Sequence, residues 1–218
     1  VLASIDDFMR ELTVRRLIVI AVVMSVPFFS PAAAQAQDSF WGVSASFTPT
    51  WKTPDQFKVA FQADGIDLKG SEFRAGIVRG RTLGGDWGIS FVRKSLAGGS
   101  VVNKDGGLYQ FGDRVVLTGG TIERFGVFGT IKDRVQIGML MGIGAARIEG
   151  TVTRNGSDVP AAEALAPLDQ NIKFSPLARL ELGLGLIVAE GFKLRVSGGL
   201  NYPGYTTFSV GGVFLFER

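Results

Sequence analysis

Between Arg179 and Leu186 the chain reads Arg-Leu-Glu-Leu-Gly-Leu-Gly-Leu. Leucine holds every second position, and an extended strand turns successive side chains to opposite faces. One face of this segment is therefore all leucine, while the other carries Arg179, Glu181 and two glycines. Glycine makes a poor solvated exterior. Glycine and paired charge do suit the crowded inside of a small barrel whose aliphatic face meets lipid. The pattern predicts a strand with its small and charged side turned inward.

The same period-two alternation recurs in eight segments: Phe40 to Trp51, Ser71 to Arg81, Asp86 to Leu96, about Gly120 to Ile131, Arg134 to Gly150, Phe174 to Val188, Phe192 to Tyr202 and Thr206 to Glu217. That repeat belongs to strands rather than helices. Tight turns at 82–85, Lys132-Asp133 and Ala189-Glu190-Gly191 alternate with long links at 52–70, 97–119 and 151–173, and the link around Pro203-Gly204-Tyr205 is short. Short and long connections in alternation gather all turns at one end and all loops at the other. The expected fold is all-β, an eight-stranded antiparallel up-and-down transmembrane β-barrel. The loops, rich in Asp, Asn, Gly, Lys and Pro, read as solvated, with room for an extended hairpin around Tyr109 to Leu117.

Strand parity then sorts the charges. With the leucines outward, Arg179 and Glu181 point inward, and the same parity sends Glu72, Arg74, Lys193 and Arg195 inward, with Arg124 assigned beside them. Buried charges must be paired and hydrogen-bonded, so these seven residues are expected to form a lumen network that plugs the barrel; a narrow charged conduit is the alternative. Eight strands leave an interior that side chains just fill, with small water pockets where glycine and serine line it. Trp41, Trp87, Phe214 and Phe216 fall near the turn end and Trp51, Tyr202 and Tyr205 near the loop end, as two aromatic girdles would require. Three arginines fit less well. Arg79, Arg81 and Arg93 continue the outward faces of the second and third strands, so they belong at headgroup level unless a bulge turns them inward. The parity of the fourth strand is ambiguous, and Pro49 cannot donate to a ladder, so the first strand should loosen there.

At the N-terminus, Arg10, Arg15 and Arg16 precede an apolar run of 13 residues, Leu17 to Phe29, followed by the small-x-small site Ala34-Gln35-Ala36. A spanning helix needs about 20 apolar residues. Residues 1–36 are therefore expected to be a signal peptide with its natural start at Met9, and residues 37–218 the barrel domain. The chain is 46% hydrophobic, yet no run of helix-spanning length follows residue 36. Residues 1–36 hold three basic and three acidic groups, so the net charge of +3 survives their removal. The scattered basic groups give no support to a nucleic-acid partner. Cysteine and histidine are both absent. That excludes disulfides, thiolate metal sites and cysteine nucleophiles, and removes the residue that most often moves protons near neutral pH. No metal site or cofactor is expected: Asp105-Gly106-Gly107 lacks a flanking helix or calcium-loop spacing and reads as a turn.

On these strands and connections, and on a last strand alternating Val210, Phe214 and Phe216, the chain from Phe40 to Arg218 resembles the small eight-stranded outer-membrane barrels of Gram-negative bacteria, the OmpA/OmpX-type group. The resemblance implies signal-dependent export to the bacterial outer membrane and a monomer among outer-membrane lipid and lipopolysaccharide. It also implies recognition of the last strand by the barrel-assembly machinery. Glu217 and Arg218 follow the final phenylalanine, whereas the family usually ends on an aromatic. The outer-membrane barrel enzymes use a histidine, which this chain lacks, so the implied role is non-enzymatic: structural, adhesive or surface-interacting. The alternatives are a narrow porin-like or hydrophobic-solute channel, and a secreted soluble lipocalin-like ligand-binding barrel, which would need its large apolar side chains inside.

Overall fold

The computed structural model describes residues 39–51, 69–102, 107–112, 115–165, 174–202 and 206–216. The expected signal segment lies outside these residues. The elements are β1 (Phe40–Trp51), β2 (Lys69–Gly80), β3 (Asp86–Ala97), β4 (Ser100–Val102), β5 (Leu108–Gln110), β6 (Val115–Ile131), β7 (Val135–Glu149), β8 (Thr151–Arg154), β9 (Ser157–Pro160), the short helix α1 (Ala161–Leu165), β10 (Phe174–Ala189), β11 (Phe192–Tyr202) and β12 (Thr206–Leu215). Eight of the strands close into a barrel in the order β1-β12-β11-β10-β7-β6-β3-β2. Every neighbour is antiparallel, and β12 seals against β1 through pairs such as Val43–Phe214 and Phe47–Val210. Closure leaves no free barrel edge.

The alternation is realised in the expected sense. Along β10, exposed and buried residues alternate without a break from Phe174 to Leu186. Leu182 is 68% exposed and Ile143, two strand positions beyond Met141, is 71% exposed, whereas Glu181 is 1% exposed. The outer surface carries an apolar band in which Val43, Phe47, Ile77, Ile89, Phe91, Ile122, Leu184, Val196 and Val210 all stand exposed. No helix among the described residues is long and apolar enough to cross a membrane, a criterion that does not bear on strands.

Irregularities cluster where the sequence is least regular. β6 and β10 shift register at Val127/Gly129 and Ile187/Ala189, both near the turn end. The β1–β12 ladder passes from Phe47–Val210 directly to Thr50–Thr207, so Pro49 sits in a gap in the pairing. The loop end differs from the solvated picture. β4, β5, β8 and β9 form a separate four-stranded sheet. Tyr109, Phe111, Val152 and Ala161 from this region pack with Val92, Leu96, Leu117, Ala146, Ile148 and Leu177 of the barrel wall in one buried apolar cluster.

Candidate functional site

The lumen is the only place among the described residues where charged side chains are gathered and withdrawn from water. It is built in three tiers. At the turn end, Asp86 opens β3 and accepts hydrogen bonds from Lys193 Nζ at 3.1 Å and Arg195 Nη2 at 2.6 Å. β3 and β11 lie diametrically opposite in the eight-strand ring, so this contact crosses the full width of the interior. Lys193 also donates to the carbonyls of Arg81 (2.9 Å) and Gly84 (3.2 Å). Gln136 donates to the carbonyls of Thr82 (3.0 Å) and Gly84 (3.3 Å). The Gly191 amide donates to Thr82 Oγ1 at 3.3 Å. The β2–β3 turn is thereby held across the mouth by side chains from β7 and β11.

In the middle tier Glu72 pairs with Arg74 and, at 3.4 Å, with Lys94. Arg74 reaches on to Glu123 of β6, and Arg179 pairs with Glu181 at 2.8 Å. The remaining acceptor positions are filled by neutral donors. Asn201 Nδ2 bonds both oxygens of Glu72 at 3.1 Å, while Ser197, Thr207 and Ser209 donate to Glu181 at 2.5, 2.9 and 3.2 Å. Among the described residues the lumen thus holds four carboxylates (Glu72, Asp86, Glu123, Glu181) against five cations (Arg74, Lys94, Arg179, Lys193, Arg195). Each carboxylate touches at least one cation, as charges taken from water must.

Between these tiers lies Phe125, fully buried, with the Arg195 guanidinium 3.9 Å above its ring centroid. Two inward glycines make room for it. A Cβ on Gly138 would come within 2.7 Å of Phe125 Cζ, and one on Gly183 within 3.1 Å of Cε2. A cavity of ≈ 40 Å³ remains beside it, lined by Ser44, Ser90, Ser197 and Arg74 and by the apolar Val78, Leu140 and Val213 among others. That is room for roughly three waters, far short of the 300 Å³ or more typical of ligand pockets. The third tier, the apolar cluster under the loop sheet, packs against β3, β6, β7 and β10 at the opposite mouth.

Of the residues expected in the network, Glu72, Arg74, Arg179, Glu181 and Lys193 lie buried in the lumen and Arg195 lies just inside the turn end. Arg124 is the correction. On β6 the odd positions 121, 123 and 125 face inward, so Glu123 joins the network and Arg124 falls on the outer face, in register with Trp87 and Met141. Four members went unread: Asp86, Lys94, Glu123 and Asn201. For Asp86 and Lys94 a signal existed, since both share parity with Gly88 and Ser90 against Trp87, Ile89 and Phe91. Of the girdle residues, Trp41 and Trp87 are exposed, in edge contact at 6.3 Å, and Arg79 lies 5.7 Å over the Trp41 ring. Phe214 and Phe216, also exposed, are 5.7 Å apart. Tyr202 instead packs against the loop-end apolar cluster. The Trp51 side chain and Tyr205 lie outside what is described.

The fold and its filled interior define a small closed eight-stranded up-and-down barrel with an apolar exterior, the architecture of small outer-membrane barrels. No family model matches the chain, and no curated protein does. Among solved structures it is similar to Neisserial surface protein A, at 13% identity and a TM-score of 0.45 over 84% of this chain and 100% of that one. It is also similar to the Yersinia pestis outer membrane protein Ail in a phospholipid nanodisc, at 13% identity and a TM-score of 0.38 over 82% of this chain and 100% of that one. The likeness is one of architecture, which the strand pairing above defines independently.

Proposed function

We propose that the protein is exported behind its N-terminal signal segment and resides in the bacterial outer membrane as a non-conducting, non-enzymatic barrel whose loop-end sheet serves a structural, adhesive or surface-interacting role. One observation carries this: large aliphatic and aromatic side chains stand exposed around the barrel wall, while the carboxylates Glu72, Asp86, Glu123 and Glu181 and their cations are paired inside. Burial is worth about 25 cal/mol per Å² of apolar surface, so a belt of exposed leucine, isoleucine and phenylalanine is stable only against hydrocarbon. A soluble lipocalin-like barrel would need the reverse arrangement. A conduit is opposed by the hydrogen-bonded turn at one mouth and the apolar cluster at the other. Catalysis finds no histidine, and the cavity in the lumen among the described residues is too small for a substrate. Lipid and lipopolysaccharide are the surroundings this exterior fits, a monomer needs no partner to close its sheet, and the alternating last strand supplies the feature that assembly machinery would read.

The test is fractionation of expressing cells followed by gel electrophoresis of detergent extracts with and without boiling. The protein is expected in the outer-membrane fraction with a mobility that changes on boiling. Recovery from aqueous buffer without detergent would overturn the placement.

A further inference from the structure

Besides Arg79 and Arg124, which flank Trp87 near the turn end, the outer face carries a charged row toward the loop end that the lumen does not explain. Arg93 on β3, Thr118 on β6 and Arg147 on β7 stand side by side in register, with Phe73 of β2 and Phe174 of β10 at the two ends of the row. Neighbouring strands lie about 4.8 Å apart, so the two arginine backbones are roughly 10 Å apart with the threonine hydroxyl between them. Long side chains from both sides can converge over that gap. Arg93 is exposed, and its side chain has no hydrogen-bond or ion-pair partner among the described residues. Arg147 makes a 3.6 Å contact to Glu149 in which both side chains are more than half exposed, the kind of pair that solvent largely screens.

The next row toward the turn end is Ala75, Phe91, Gly120, Ala145 and Pro176. Its centre is nearly bare. A Cβ built on Gly120 would meet nothing closer than the Ser90 carbonyl at 3.6 Å. Beyond it come Ile122 and Ile143, both strongly exposed. Two guanidinium groups therefore stand above a shallow apolar trough at Gly120 and Ala145, bounded toward the turn end by the exposed Ile122 and Ile143. Arg93 lies four residues from the end of β3. At about 3.4 Å per residue on a strand tilted by about 40°, that sets it roughly 10 Å below the strand end, near headgroup depth.

We propose that this face binds a phosphorylated glycolipid of the loop-side leaflet. Arg93 and Arg147 grip the phosphate oxygens, Thr118 donates between them, and an acyl chain lies in the trough over Gly120 and Ala145. Arginine suits the task because its planar fork matches phosphate oxygens two at a time. The proposal rests on the membrane placement above.

The test is native mass spectrometry of the barrel folded in detergent, with bisphosphorylated lipid A and phosphatidylethanolamine as competing probes. Wild type is expected to retain lipid A at least tenfold over phosphatidylethanolamine. Arg93→Gln/Arg147→Gln should lower lipid A retention at least tenfold, and Arg124→Gln, an outer-face arginine outside the row, less than twofold. Gly120→Leu, which fills the trough and keeps both arginines, should lower it at least threefold and serves if the double variant does not fold. Undiminished retention by either the double variant or Gly120→Leu, or an equal loss in Arg124→Gln, overturns the proposal. So does displacement of lipid A by millimolar inorganic phosphate, which would mark a site for soluble phosphate. Insertion of wild type into phosphatidylcholine vesicles is scored separately. Insertion without lipid A preference defeats this proposal alone, whereas failure to insert defeats the membrane placement and this proposal with it.

Discussion

Asp86 holds two cations of β11 at once, and none of the three side chains reaches bulk water freely. Breaking a buried pair from one side leaves an uncompensated charge, which costs more than the pair itself contributes. Asp86→Asn strands both Lys193 and Arg195 and is expected to lower stability by about 3–5 kcal/mol, read as an earlier urea midpoint in detergent or vesicles. Glu149→Gln, on an exposed pair, should move that midpoint by no more than about 0.5 kcal/mol. The difference between these carboxylates was legible only where parity was clean. Glu72, Arg74, Arg179, Glu181 and Lys193 alternate with aliphatic neighbours, so their side of the strand could be read directly. In Thr121-Ile122-Glu123-Arg124-Phe125 two charges are adjacent, and one of them must face lipid whichever way the strand turns. What decides it is the partner: Arg74 and Arg179 approach Glu123 from β2 and β10, each two strands away on either side of β6, and no local pattern encodes that.

The barrel strands were legible because each is long enough to repeat its period several times, and their observed bounds fall within a few residues of the alternation, β6 apart. β6 begins at Val115 rather than near Gly120, since Val115 and Leu117 read as loop until the apolar cluster beneath the loop sheet gives them something to bury against. β4, β5, β8 and β9 are three or four residues each, too short to show a period. Of that sheet, the Asn155-Gly156 turn carried the one local cue, with both residues in the left-handed region as a tight hairpin demands. The β6–β7 hairpin makes the same demand of poorer residues. Lys132 and Asp133 have φ of 49° and 51°, and a non-glycine residue there is strained by about 1–2 kcal/mol. Lys132→Asn/Asp133→Gly, which installs the residues this turn prefers, is expected to stabilise the barrel by about 1 kcal/mol. The shift would appear in the urea midpoint, with no change in the gel mobility of the folded form.

Over the described residues the barrel is turned inside out relative to a soluble one. Its interior is a nearly balanced set of ion pairs cushioned by serine and glycine, apolar side chains pack at its loop mouth, and its wall presents hydrocarbon. The orientation of that wall is the claim from which the rest follows, and the absence of native cysteine makes it directly measurable. Cysteines placed singly at Ile143, Leu182 and Leu184, spin-labelled in lipid vesicles, report collisions with apolar oxygen and with a water-soluble nickel complex. All three labels are expected to meet oxygen far more often than nickel. Labels that are shielded from both, as in a packed protein interior, or that meet nickel preferentially, as on a solvated surface, would contradict the account.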